Sequence, residues 1–326
     1  MPPLSPSSNA YGYPLLIKHL LTRSNIASAS QEIVSGTEMR LNYAALGKRV
    51  RQLANSLKAS GIREGMRVGV MDWDTHRYLE CFFAIPMMGA SLFTINVRLS
   101  PAQVLYTINH GQPDLIIVHR DFMPLIDDIK SGFNRDIIIV PIGDGEGYEE
   151  WIGEASGSFD FPDFDENQTA TLFYTTGTTG NPKGVVYTHR SNVLHAMTVQ
   201  TPDMLGLYSK DRMMPVVPMF HANGWSTAYS TPMAGASMVM PGNNMTPAGL
   251  YEMLEHGVTI TAAVPTVWLA LLQYLDAEQK SFSTLERVVI GGSSCPRAVI
   301  EAFQDNYGVQ VIHAWGMTEL SPLGTI

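Results

Sequence analysis

The chain has 326 residues, with 21 Lys and Arg against 30 Asp and Glu, a formal net charge of −9 that excludes a nucleic-acid binder working through bulk positive charge. Charged residues make up 16% of the chain, below the roughly 25% usual for soluble domains, while 45% are hydrophobic and 18 are Met. Apolar surface therefore needs covering, by a second copy of the chain, a greasy substrate tunnel or further protein.

Cys81 and Cys295 are the two cysteines, too few for a disulfide scaffold or a multi-cysteine zinc site. The first residues lack a basic n-region, and Lys18 and His19 break their one apolar run, so no signal peptide is expected. No run of 18 apolar residues occurs, so no membrane span is expected either, and a reducing cytoplasm is the expected location.

In chain order, residues 66–71, 91–95, 114–118 and 136–140 read as strands, with helical patterns at 75–90, 101–109 and 122–129 between them, a succession of β-α units. Ser100, Pro101 and Gln103 supply an N-cap, a proline at the first helical position and a capping-box partner. Residues 143–168, rich in Gly and Asp, read as a linker between two lobes. Beyond it, strands are expected in 170–176, 184–189, 213–219, 236–240, 258–264, 286–292 and 309–315, and helices at 190–200, 247–256, 266–276 and 296–306. The expected fold is α/β, with a first βα subdomain over 1–165 and a second over 166–326. The sequence stops directly after a strand and a turn, which reads as a domain lacking its next element.

The run Tyr174-Thr175-Thr176-Gly177-Thr178-Thr179-Gly180-Asn181-Pro182-Lys183-Gly184 follows a predicted strand. Its glycines admit close approach of backbone N–H groups, its hydroxyls donate to phosphate oxygens and Lys183 adds a compact cation, a composition suited to a polyphosphate. A flexible surface loop is the plain alternative. It is not a Walker A loop, because Pro182 precedes the lysine and Gly184 follows it.

This string resembles the phosphate-loop signature of the AMP-forming adenylating enzymes, the superfamily of acyl-CoA synthetases, luciferases and peptide-synthetase adenylation domains. Met219-Phe220-His221-Ala222-Asn223-Gly224-Trp225, Gly291-Gly292-Ser293-Ser294 and Trp315-Gly316-Met317-Thr318-Glu319 agree in order and spacing. Over nearly its whole length the chain is similar to the large N-terminal domain of medium- and long-chain fatty acyl-CoA synthetases, without their C-terminal lobe. The resemblance implies ATP, Mg²⁺ and coenzyme A as cofactor and co-substrates, a small-molecule carboxylate, a medium- or long-chain fatty acid or similar apolar acid, as substrate, and a homodimer as assembly.

By that resemblance, Thr175, Thr176, Gly177, Thr178, Thr179, Gly180 and Lys183 would hold the β- and γ-phosphates. Thr175 and Glu319 would contact Mg²⁺, and Thr318 would donate to the α-phosphate; its alternative is an ordinary N-cap. Lys183, Thr318 and Glu319 form the catalytic set. Gly292, Ser293, His313, Ala314, Trp315 and Gly316 would line the adenine, with Trp315, where the family more often has Tyr, as the stacking face or else a core aromatic. His221, Ala222, Trp225 and Gly291 would line the substrate site, and the resemblance makes Trp225 a gate to the acyl tunnel. His221 and Trp225 share one face if their stretch is helical. Val267, Leu271 and Leu275, spaced by four, would form a tunnel wall or pack in the core.

Three rivals remain. Gly143-Asp144-Gly145-Glu146-Gly147 has the spacing GxGxG rather than the GxGxxG of nicotinamide enzymes. His189 and His195, six apart, suit no zinc site. A non-catalytic nucleotide- or acyl-binding fragment is the third, and a ligase for a short thioether or aryl acid is the variant within the family.

Overall fold

Fully apolar runs of four or five residues are buried on both faces only inside a parallel sheet covered by helices, and the chain builds two such sheets. The computed structural model describes Ser5 and residues 7–36, 39–143, 147–175 and 180–326. Its strands are β1 (Glu32–Ser35), β2 (Met39–Asn42), β3 (Arg67–Met71), β4 (Ser91–Thr94), β5 (Leu115–His119), β6 (Ile138–Ile142), β7 (Thr169–Thr175), β8 (Lys183–Thr188), β9 (Arg212–Pro215), β10 (Ser237–Met240), β11 (Ile260–Ala263), β12 (Arg287–Ile290), β13 (Gln310–His313), β14 (Trp315–Gly316) and β15 (Leu323–Thr325). Helices α1 (Lys18–Ile26), α2 (Tyr43–Ala59), α3 (His76–Met87), α4 (Pro101–Gly111), α5 (Met123–Ile129), α6 (Tyr148–Gly153) and α7 (His189–Thr198) precede the later ones, which are cited by residue range.

One sheet runs β6-β5-β3-β4-β7-β8 and the other β13-β12-β11-β9-β10-β1-β2, with β14 and β15 a separate hairpin. Only the edge strands β8 and β2 run antiparallel to their neighbours within the two sheets. Ser100 caps α4 with the reciprocal Gln103 bonds that the sequence signals.

Sheet membership crosses residue 165 in both directions. Strands β1 and β2 join the sheet of β9–β13, while β7 and β8 complete the sheet of β3–β6. Residues 170–174 of β7 are all buried, and pairing Phe93 with Leu172 beside β4 gives that run its interior place. Residues 147–168 are likewise no free linker. Tyr148 and Ile152 bury one side of α6, and the stretch beyond is fastened by Asn55 Nδ2 to the carbonyls of Ser156 and Ser158 and by Lys18 to Asp163 at 2.7 Å.

All twelve residues of α3 are buried, and they share one core with Val68 and Leu115 of one sheet and Ile33 and Met238 of the other. A helix buried on every side belongs between two layers, so α3 joins the sheets. The charge it carries inward is matched. Glu80, fully buried, accepts from Arg49 Nε at 2.6 Å and from the Tyr148 hydroxyl at 2.6 Å, while Arg49 also reaches Glu149 at 2.7 Å.

Arg49→Ala should therefore cost about 3–5 kcal/mol by leaving a buried carboxylate without its cation. Lys130→Ala, which breaks the exposed pair with Asp127, should leave the unfolding midpoint unchanged. Urea denaturation of the two variants checks the contrast.

Candidate functional site

In an open parallel sheet, ligands bind beyond the carboxyl ends of the strands where neighbouring connections leave in opposite directions. That place lies beside β9, whose successors β10 and β11 flank it on opposite sides. The exits of β9, β11, β12 and β13 surround a cavity of about 230 Å³. Its walls include His221, Ala222, Trp225, Gly291, Gly292, Ala314, Gly316 and Thr318, all anticipated from the sequence.

The segment after β9 turns the wrong way for an ordinary helix. Ala222, Asn223, Gly224, Trp225 and Ser226 have φ of 46°, 57°, 56°, 56° and 69°, a left-handed turn. The condition under which His221 and Trp225 would share a face, an ordinary helix, is thus not met, yet both side chains reach one cavity because one turn of either hand brings residues four apart close together. A left-handed residue other than glycine costs about 1–2 kcal/mol. The turn is held by hydrogen bonds: Asn223 Nδ2 donates to Asn192 Oδ1 of α7 at 2.6 Å, the Thr227 hydroxyl to the Gly224 carbonyl at 2.7 Å and the Ser230 hydroxyl to the Ser226 carbonyl at 3.0 Å.

Trp225 lies on bare backbone. A Cβ at Gly291 would stand 2.9 Å from the Ala314 carbonyl oxygen and 3.1 Å from Trp225 Cη2, and one at Gly292 (φ +80°) would stand 3.1 Å from Val264 and 3.5 Å from Trp225 Cζ2. Val199, Leu205, Ala262, Val289 and Leu323 supply further apolar wall. By contrast, Leu271 and Leu275 are buried with Phe303 and Val288, and Val267 packs against that cluster; the helix Pro265–Ala277 is core and lines no part of this cavity.

Ser293, His313 and Trp315 lie outside the wall and are exposed. Trp315 pairs with Thr325 in the β14–β15 hairpin, and its ring covers Gly324, where a Cβ would stand 2.6 Å from Trp315 Cζ3. The indole is 56% exposed, so it is no core aromatic and one side remains open for stacking.

The ends of the threonine-glycine loop form a hairpin stem in which Thr175 pairs with Lys183. Thr176, Gly177, Thr178 and Thr179 lie outside the described residues; Gly180 (φ +89°) and Lys183 are exposed. Further along β8, the Tyr187 hydroxyl donates to the Thr318 carbonyl at 2.5 Å, joining the stem to the turn that carries exposed Glu319. Burial, with the Glu319 charge beside it, holds the Tyr187 phenol well above its ordinary range. Lys183 stands four strand positions from Tyr187, about 13 Å along β8. Among the described residues no cluster of three or more His, Cys, Asp or Glu could hold a metal by itself. Thr175 and Glu319 offer the hard oxygen donors that Mg²⁺ takes together with phosphate.

Tyr187 and His195 are the residues that motif reading misses. His195 lines the cavity from α7, and its Nε2 accepts the Leu323 N–H at 3.3 Å, which puts the proton of the neutral ring on Nδ1. His189 instead accepts the Ile17 N–H at 3.3 Å, so the two histidines serve separate contacts. Of the Gly143–Gly147 run, residues 144–146 lie outside the described residues. No helix among the described residues is long and apolar enough to cross a membrane.

Among known proteins, the profile of a family described as AMP-binding enzyme matches residues 23–326. The 3-methylmercaptopropionyl-CoA ligase of Ruegeria lacuscaerulensis is 39% identical over 96% of this chain and 61% of its own. The medium-chain-fatty-acid–CoA ligase of Ectopseudomonas oleovorans is 39% identical over 95% and 60%. A crystal structure of the anthranilate CoA ligase AuaEII in complex with anthranoyl-AMP superposes with a TM-score of 0.88 at 26% identity, covering 95% of this chain and 61% of that one. The chain thus spans about three fifths of the length of these curated relatives.

Burial lowers both His195 and His189 to about 4 from 6.5. Between those values the unfolded chain binds a proton that the folded chain does not, so stability present above pH 6.5 is lost as pH falls toward 4. His195→Asn should shrink the loss of unfolding free energy between pH 7 and pH 4.5 by about 2–3 kcal/mol, read from urea curves at the two pH values.

Proposed function

The chain belongs to the AMP-binding enzyme family, and from that membership we propose that it carries the adenylating site of an acid–CoA ligase. In this reading a carboxylate oxygen attacks the α-phosphorus of ATP, pyrophosphate leaves, and the acyl group passes from AMP to the thiol of coenzyme A. The observation that carries it is the indole of Trp225 laid on Gly291 and Gly292, which puts an apolar cavity beside the exits of β12 and β13.

An anionic acid approaching a polyphosphate is repelled, so the site must supply positive charge and fixed donors where charge develops. Lys183 and the hydroxyls and backbone N–H groups from Thr175 onward would hold the β- and γ-phosphates; Thr318 would donate to the α-phosphate. Trp315 would stack on adenine beside Gly292, Ser293, His313, Ala314 and Gly316. Glu319 and Thr175 would hold Mg²⁺, which neutralises phosphate charge when bound.

His221, Ala222, Trp225 and Gly291 would form the acid's side of the site. The apolar lining by Val199, Leu205, Val289 and Leu323 supports a fatty acid, in line with the name of the Ectopseudomonas oleovorans relative. A short thioether acid is the second reading, favoured by the 39% identity to the Ruegeria lacuscaerulensis ligase. Cytoplasmic location is supported by Cys81 and Cys295 both being free thiols.

Calorimetric titration of the chain with a non-hydrolysable octanoyl-adenylate analogue should show one binding event, and no heat of binding would end the proposal. Trp225→Ala should weaken octanoate at least tenfold, about 1.4 kcal/mol, with AMP affinity unchanged. Glu319→Ala should abolish the gain in ATP affinity that Mg²⁺ gives the parent chain.

A further inference from the structure

The main chain entering the left-handed turn is gripped from the opposite sheet. Asp74, three residues beyond β3, accepts the Met219 N–H at its Oδ1 at 2.7 Å, and its own carbonyl accepts the Gly242 N–H at 3.0 Å. Thr94, the last residue of β4, donates its hydroxyl to the Phe220 carbonyl at 3.0 Å. The Arg98 guanidinium lies over the Phe220 ring at 5.7 Å. Residues 219 and 220 directly precede His221 and the run of positive φ, so the grip falls where the backbone must change hand.

A carboxyl group in this seam is hard to explain as filling. Asp74 is buried, and burial, with Asp72 beside it, pushes it up to about 7 while the Met219 N–H and Arg98 draw it the other way; Tyr78 is the other titratable group facing it. An apolar side chain would fill the space without that cost, but it would leave the Met219 N–H without an acceptor.

We propose that Asp74, with Thr94 beside it, is a positioning residue for the acid-binding cavity: it fixes the 219–220 main chain so that the left-handed turn sets Trp225 against Gly291 and Gly292. That the cavity takes an acid rests on the function proposed above; the positioning does not.

Hydrogen–deuterium exchange on the whole chain tests it. Asp74→Ala should speed exchange in peptides covering 219–226 at least tenfold and leave those covering 287–292 unchanged. Asp74→Asn, whose side-chain oxygen still accepts, should stay within threefold of the parent. Thr94→Val should speed the same peptides, which keeps the test decisive if Asp74→Ala does not fold. Octanoate affinity should fall tenfold in the loosened variants with AMP affinity unchanged. Unchanged exchange at 219–226 in the folded variants, or a rise spread evenly over the chain, would overturn the positioning role, and faster exchange with octanoate affinity intact would overturn its link to the cavity. If the parent chain binds no octanoate, the acid reading falls while exchange still decides the positioning.

Discussion

The close approach of three backbone segments at Gly291 sets the geometry of the whole site. The position admits no side chain without a shift of its neighbours, since a Cβ there would stand 2.9 Å from the Ala314 carbonyl oxygen and 3.1 Å from the Trp225 indole, closer than ordinary van der Waals contact. The exits of β12 and β13 and the turn after β9 are therefore locked at contact distance. The cavity follows from that contact, because the indole resting on glycine backbone forms one wall and cannot move inward.

A left-handed run of five residues is unstable by itself and stands only if its surroundings over-determine it. Helix α7 supplies one constraint through Asn192 and a second, to the β14–β15 hairpin, through His195 and the Leu323 N–H. It also continues directly from β8, whose first residue is Lys183 and whose Tyr187 holds the Thr318 carbonyl. The stem of the threonine-glycine loop, the strained turn and the Thr318–Glu319 turn are thus bound to one strand-helix unit. Displacing any of them must disturb that unit, which is how the loop stem and the cavity wall are kept in register.

The parts of this arrangement legible in the sequence are those fixed by local chemistry. The apolar runs became strands, and Ser100 and Gln103 close the capping box they signal. Three of the four motifs, those after β9, β12 and β13, reach one cavity wall because each follows a strand of the same sheet, whereas the threonine-glycine loop follows β7 of the other sheet and its described residues line no part of that wall. What stayed hidden was non-local. Sheet membership across residue 165 depends on which strand edges meet, and the hand of the turn at 222–226 depends on Asn192 and on the seam with the other sheet. Spacing by four reports proximity and is silent on hand. The same spacing at Val267, Leu271 and Leu275 marks the face of a core helix, since amphipathicity looks alike whether the partner is a ligand or Phe303. Tyr187 and His195 belong to no motif, and their roles lie in single contacts to residues more than a hundred positions away.

The low charge content also has an architectural source. Helix α3 lies between two sheets and exposes none of its twelve residues, so apart from His76, Arg77 and Glu80 it is apolar on every side, where a surface helix requires one stripe. That enclosure is one source of the apolar composition. The apolar groups that do reach solvent include Val186 of β8, Leu194 and Met197 of α7, Trp315 of β14, and Met317 and Leu320 of the adjoining turn. They sit on the elements that carry the site, where apolar surface left uncovered most often serves binding. The composition therefore reflects two features at once, a helix enclosed between two sheets and an apolar rim on the strand-helix unit that holds the cavity.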